Sequence, residues 1–446
     1  MSSSHRVVSP ERRLSHRDVV AIALPITLSN ATTPLVGFVD TLAIGQLGAA
    51  HLIGGVAIAA NIFNAIYWGF GFLRMGTTGL TSQAVGAADR TEVAANLFRA
   101  LLIAGIAGAL VILLQGPLAR GALWFMGASS NVEAAARAYY DVRIWAAPAG
   151  LANFALLGWF IGLGRAGIAF WLQLWLNLLN VGLAYLFVIH YGLGVEGAGL
   201  AALIAEVTAA AVGIAVAWRE LAARGAGAGW TAVLDATRLN RMVAVNVDIT
   251  IRTFCVLGAF LFFTAQSAQT NDLTLAANAV LTSMATIAVY LLDGFAFAAE
   301  TLIGQSIGAG SRARFREAMW LSTIWAGVFG VVLSVGLWLG GPAIIDVMTT
   351  SVEVRETALQ YLVWAALTPI VGVWCFQLDG VFIGATRTAD MRNMMILSFL
   401  VYVGAWAVLK PLFANHGLWA ALHVFYVVRA ASLLARLPAL QRATFP

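Results

Sequence analysis

A lone carboxylate in an apolar run is the first sign of chemistry in this chain. Asp40 lies in PITLSNATTPLVGFVDTLAIG, residues 25–45, which is otherwise uncharged. Holding an ionised aspartate near the centre of a membrane helix costs about 2.5–3.5 kcal/mol on the insertion scale. Pro25 and Pro34 each remove a helical hydrogen bond and invite a bend. Together they point to a bent helix that turns Asp40 into a polar cavity, where it takes up and releases a cation. The alternative places Asp40 near the outer end of its helix, beside headgroups, where the cost fades. Asn177 and Asn180 are three apart and share one helical face. With Asp40 they make an oxygen-rich site for a proton or a hydrated Na⁺; hydrogen bonding between spans is the competing explanation.

A second set of polar residues sits later in the chain. Asp293 and Glu300 are seven apart, two turns along one face. Arg252 is placed to neutralise one of them, and Asp379 is a further acid in an apolar stretch. This set is either a structural ion pair or a second substrate or ion site. Glu206 is read as a packed acid and Arg74 as a gate or packing residue. The aromatics Tyr67, Phe154, Tyr290 and Phe376 fall on spans that line a central cleft in one arrangement, where an apolar aromatic cavity suits lipophilic cations. Lipid-facing or core packing is the commoner fate of any one of them.

The elements that must carry these residues are membrane helices. Of 446 residues, 61% are hydrophobic and 11% charged, and mean hydropathy is +0.85. Soluble domains average about 25% charged residues. Cys255 and Cys375 both fall in apolar spans and give neither a disulfide framework nor a metal pattern. There is no P-loop, zinc spacing or haem motif, so no cofactor is expected, and either an ion gradient supplies the energy for transport or the protein is passive. The net charge of +5 is spread over short loops and does not mark a nucleic-acid surface.

About twelve spans of ~20 apolar residues fit between 18 and 437, all helical. They divide into a segment 1–17, a six-helix lobe 18–222, a linker 223–240, a six-helix lobe 241–437 and a tail 438–446. Longer loops are expected near 116–135, 223–240 and 341–354. Arginines cluster before the first span and after the even-numbered ones (Arg90, Arg165, Arg224, Arg312, Arg387), while the opposite loops carry few. By the positive-inside rule both termini are cytoplasmic. The halves also repeat at about 220 residues: QAVGAA at 83–88 matches QSIGAG at 305–310, and Trp145 to Arg165 matches Trp364 to Arg387. Six spans per half make these parallel repeats about the membrane normal, the arrangement that supports rocking.

Three stretches carry a family likeness: FQLDGVFIGATRTADMRN at 376–393, LLDGFAFAAETLIGQSIG at 291–308 and GFLRMGTTG at 71–79. They resemble the multidrug and toxic compound extrusion (MATE) transporters, in the DinF-like branch, from about Pro25 to Ala421. The resemblance implies two lobes in a V around a central cavity. It also implies efflux of cationic or amphiphilic organic compounds against inward H⁺ or Na⁺, by alternating access in the inner membrane. In the family the acid of the Phe38-Val39-Asp40-Thr41 context binds the coupling cation. The fifth helix there often reads Asn-x-x-x-Asp; here Asn180 matches the asparagine, but the acid's place holds Ala184. A lone acid fits protonation better than Na⁺ binding. The expected protein is a monomeric antiporter in the bilayer with small-molecule substrates, no nucleic acid and no enzymatic activity. A lipid or lipid-linked sugar flippase is the rival transporter. An intramembrane enzyme built on Asp293 and Asp379 is the more distant one.

Overall fold

The structure, a computed structural model, describes residues 13–45 and 49–445, and the backbone alone at 33–43 and 50. The described residues form helices and short turns, with no strand among them. Helix α1 runs from His16 to Gly45 through both Pro25 and Pro34. Then come α2 (Ala50–Gly69), α3 (Phe72–Gly86), α4 (Arg90–Leu113), α5 (Gln115–Met126), α6 (Ser130–Arg143), α7 (Ala147–Gly162) and α8 (Ala166–Ala184), the last continuing as a π-helical stretch Tyr185–His190. The rest is α9 (Gly194–Arg224), α10 (Trp230–Val233), α11 (Ala236–Ala268), α12 (Asp272–Gly308), α13 (Arg312–Met348), α14 (Val352–Gly384) and α15 (Thr388–Thr444). Ten stretches of the described residues are long and apolar enough to cross a membrane. The last of them breaks at Ala414 (φ 49°, ψ −127°) into two helices. With α1 this makes the twelve spans expected.

The helices reach further than the apolar runs do. The expected loop at 116–135 is largely helix. α5 tolerates Pro117 in its first turn and stops at Gly127 in the left-handed conformation (φ 60°), as helix ends often do. α6 is amphipathic: Ala135, Ala136, Tyr139 and Tyr140 are buried, while Arg137 and Asp141 pair at 2.8 Å on the exposed face. Polar composition gave it the look of a loop. The loop expected at 341–354 is shortened in the same way, because α13 continues through Pro342 to Met348. The 223–240 linker contains α10, and the buried Arg99 of α4 holds it. Arg99 donates from Nε to the Val233 carbonyl (2.9 Å) and from Nη2 to the Ala232 carbonyl (2.5 Å), while Nη1 bonds Glu92 at 2.7 Å. These carbonyls close a helix too short to bond them internally.

The chain divides into two compact units. The first comprises Leu28–Val85 and Asp89–Met242. The second comprises the chain from Val243 onward, Gly86–Ala88 and the part of α1 up to Thr27. Inside each unit the same packing device recurs at one offset. A Cβ on Gly158 of α7 would lie 2.3 Å from the Arg74 carbonyl oxygen, and one on Gly162 would lie 2.8 Å from that of Thr78. In the second unit, a Cβ on Gly380 would meet the Ala296 carbonyl at 2.4 Å and one on Gly384 the Glu300 carbonyl at 2.4 Å. The offset is constant: 380 − 158, 384 − 162, 296 − 74 and 300 − 78 are all 222. Each pair is a Gly-x-x-x-Gly face that lets two membrane helices touch backbone to backbone. The turns repeat too. Ala88 (φ 55°) and Gly310 (φ 64°), like Gly164 (φ 74°) and Thr386 (φ 51°), are left-handed residues at the same spacing.

Gly380→Ala and Gly158→Ala are each expected to cost about 1–3 kcal/mol, the range for an overpacked interior, because a carbonyl rather than a flexible side chain is in the way. Thermal unfolding in detergent micelles checks this. Gly105→Ala, where nothing lies within 4 Å, is the control and should be neutral or slightly stabilising, since alanine is the better helix former. Equal losses at all three positions would contradict the packing argument.

Candidate functional site

In the first unit the asparagines on α8 meet the second half of α1. Asn177 donates from Nδ2 to the Thr32 hydroxyl at 2.7 Å and accepts from Gln173 Nε2 at 3.0 Å. Asn180, one turn on, is also buried, and its Oδ1 has no hydrogen-bond partner among the described residues. Buried polar atoms are normally paired, so this acceptor marks a place for a donor or a cation. Ala184, one turn further, is fully buried. Asp40 and Pro34 follow Thr32 on α1, but their side chains lie outside the described residues. Pro25 is half-buried and sits two residues before Thr27, whose hydroxyl donates to the Leu291 carbonyl at 3.0 Å.

A second polar cluster in this unit joins α2, α6, α7 and α9. Tyr67 donates its hydroxyl to Glu206 Oε2 at 2.8 Å. Arg143 stands 3.7 Å from the other carboxylate oxygen, bonds the Tyr139 hydroxyl at 2.7 Å and lies over the Phe63 ring at 4.7 Å. Gly150 makes the room: a Cβ there would come within 2.5 Å of Glu206 Oε2 and 2.7 Å of the Tyr67 hydroxyl. Phe154 packs edge-on to Tyr67 with centroids 6.0 Å apart. Glu206 is thus a buried acid with a phenol, a guanidinium and a glycine arranged around it, and Tyr67 and Phe154 belong to its surroundings.

In the second unit Asp379 of α14 is held between two arginines. Arg252 of α11 bonds its Oδ2, and Arg429 of α15 bonds the same oxygen at 2.7 Å. Phe376, one turn before Asp379, faces the Arg429 guanidinium at 5.6 Å and Tyr426 edge-on at 5.9 Å. Asp293 and Glu300 lie elsewhere on α12, Asp293 half-buried and Glu300 buried, while the acid that Arg252 bonds is Asp379. Tyr290 is half-buried on the same helix. Asn278 has a structural place. It exchanges amide hydrogen bonds with Asn415 (2.8 and 3.0 Å) and accepts from Trp419 Nε1 at 2.8 Å, just past the break at Ala414. No group of three or more metal-ligating side chains occurs among the described residues.

Sequence reading did not single out Arg429, Arg99 or Asp248. Each is a charge inside an apolar run, the same signal that marked Arg74 and Arg252. Asp248 accepts from Thr388 Oγ1 at 2.9 Å and from Arg392 at 2.5 Å.

Comparison with known proteins bears on this geometry. Residues 25–186 and 249–405 match the MatE family. The chain is 37% identical over 414 residues to the DNA damage-inducible protein F of Escherichia coli (strain K12), covering 93% of this chain and 90% of that protein. It is 28% identical over 411 residues to the probable multidrug resistance protein NorM of Rhizobium meliloti (strain 1021), covering 85% and 84%. Among solved structures, an outward-facing multidrug resistance MATE family transporter of the MOP superfamily matches with a TM-score of 0.89 at 16% identity, over 99% of this chain and 100% of that one. A MOP superfamily transporter from Pyrococcus furiosus matches with a TM-score of 0.87 at 18% identity, over 99% and 100%. At such identities the structural likeness is one of fold.

Proposed function

We propose, because this chain belongs to the MatE family of membrane transporters, that it exports amphiphilic and cationic organic compounds in exchange for inward protons, with Asp40 as the proton-binding group. It is a multi-pass membrane transporter and not an enzyme. The observation that carries the reading is the polar face on α8. Asn177 reaches Thr32 of α1, Asn180 keeps a buried acceptor that is unpaired among the described residues, and one turn on stands a buried alanine instead of a second acid. A Na⁺ ion wants several oxygen ligands and compensating negative charge. One carboxylate and two amides supply less of both than a two-acid site, while a single carboxyl suffices for a proton.

Protonated Asp40 is neutral and compatible with an apolar surrounding; deprotonated, it needs water or donors. Switching between these forms biases the bent helix, and ion and substrate each favour a different state of the transporter. On this reading the chain sits in the inner membrane with both termini cytoplasmic and works as a monomer. The test is export of a fluorescent organic cation from proteoliposomes of the wild-type protein, with a pH gradient or a Na⁺ gradient imposed separately. Transport under the pH gradient alone is expected. Transport that requires Na⁺ and ignores pH overturns the proton assignment.

A further inference from the structure

The charges around Asp379 do not balance. Two guanidinium groups converge on one carboxylate oxygen, at side chains 13% (Arg252), 2% (Arg429) and 5% (Asp379) exposed. Asp379 Oδ1, Arg252 Nε and Arg429 Nε are buried without a hydrogen-bond partner among the described residues. The cluster therefore carries one excess positive charge, where an uncompensated ion is costly, and keeps two N–H donors, one Nε on each arginine, unpaired among the described residues. Beside it stand two aromatic faces, Phe376 at 5.6 Å and Phe425 at 5.2 Å from the Arg429 guanidinium. A cation is repelled from such a place. What it fits is an anionic oxygen group on an apolar body: guanidinium forks match carboxylate-type oxygens, and the rings take the hydrocarbon.

From the paired arginines and their aromatic flank, we infer that the second unit holds a binding site for organic anions, with Arg252 and Arg429 as the anion-binding residues and Asp379 as the internal carboxylate that occupies them when the site is empty. This goes beyond the proton-coupled export proposed above and does not depend on it. Arg252, the most exposed of the three, is the point of entry. A ligand anion arriving there shares the guanidinium donors that Asp379 leaves unpaired, and it neutralises the excess charge. Asp379 Oδ1 faces any ligand as a like charge, so it sets a ceiling on affinity.

The test is equilibrium binding of 1-naphthalenesulfonate, a permanently charged aromatic anion, to the full-length protein in nanodiscs of neutral phosphatidylcholine, with no gradient present. Saturable binding by the wild type is expected. Arg252→Gln should weaken it about 10-fold or more, the loss of a charge-assisted contact. Asp379→Asn should strengthen it several-fold and gain more thermal protection from the probe than the wild type does, because binding to the folded state is linked to stability. Both variants melt below the wild type whichever reading holds, so the probe decides: a purely structural cluster gives no saturable binding and melting temperatures that the probe leaves unchanged in both. If Arg252→Gln fails to fold, Asp379→Asn and the charge-keeping Arg252→Lys still carry the test, the former by tighter and the latter by intermediate binding. Binding no greater than to protein-free nanodiscs overturns the inference. So does equal protection by chloride, which would mean an inorganic counter-ion, or abolition of binding in phosphatidylglycerol nanodiscs, which would mean a lipid headgroup.

Discussion

The Asp40→Asn protein is expected to reach the membrane at the wild-type level, to melt at or above the wild-type temperature, and to export no faster than protein-free liposomes under an imposed pH gradient. Asparagine has the shape of aspartate and most of its hydrogen-bonding capacity, but it neither gains nor loses a proton in the accessible pH range. Its presence in a span is cheaper than that of an ionised aspartate, so stability gives no reason for the protein to fail. What is lost is the link between ion and substrate: coupling exists only where each ligand discriminates between the two states. Asp40 stands about two turns beyond Thr32 on α1, the residue that Asn177 of α8 holds at 2.7 Å. Asn180→Ala removes an acceptor and no titratable group, so it should slow export without abolishing proton dependence. Wild-type export by Asp40→Asn would sink the assignment. Aggregation of Asp40→Asn on size-exclusion chromatography would move Asp40 to a structural role.

The spans and the internal repeat were legible because both leave direct marks on composition. Apolar runs of ~20 residues have few other fates, and QAVGAA and QSIGAG announce the offset at which the glycine contacts and left-handed turns recur. Helix ends were less so. α6 starts at Ser130, inside the loop expected at 116–135, because its first turns (SNVEAA) are polar and do not extend the apolar run that marks a span. Partnerships were hardest. Sequence pairs Arg252 with Asp293 or Glu300, but its partner is Asp379, 127 positions away in sequence, and the third member comes from the helix that follows the kink at Ala414. Arg99 and Asp248 illustrate the same limit. A charge in an apolar run says that a partner exists, while the identity of that partner is a property of tertiary packing. Asn278 shows the same: its place in an apolar run is plain, but nothing in the run says that it ties down the start of the last helix through Asn415.

Asp379→Asn is expected to destabilise the second unit by about 3–5 kcal/mol, the usual cost of removing one partner from a buried ion pair. The size follows from what is left behind. With the carboxylate gone, Arg252 and Arg429 remain as two like charges with side chains 13% and 2% exposed and an amide between them. Arg429→Met should cost less, because it leaves Arg252 and Asp379 as a one-to-one pair and fills the space between Phe376 and Phe425 with an apolar chain of similar length. The double variant Arg429→Met with Asp379→Asn should then be more stable than Asp379→Asn alone, since one of the two stranded charges is removed. Denaturant or thermal unfolding of the four proteins in one detergent measures the coupling. An additive double variant would mean that the arginines do not share Asp379. A non-additive recovery would mean that they do, and that the excess charge in this cluster is held in place by the one carboxylate oxygen they both bond.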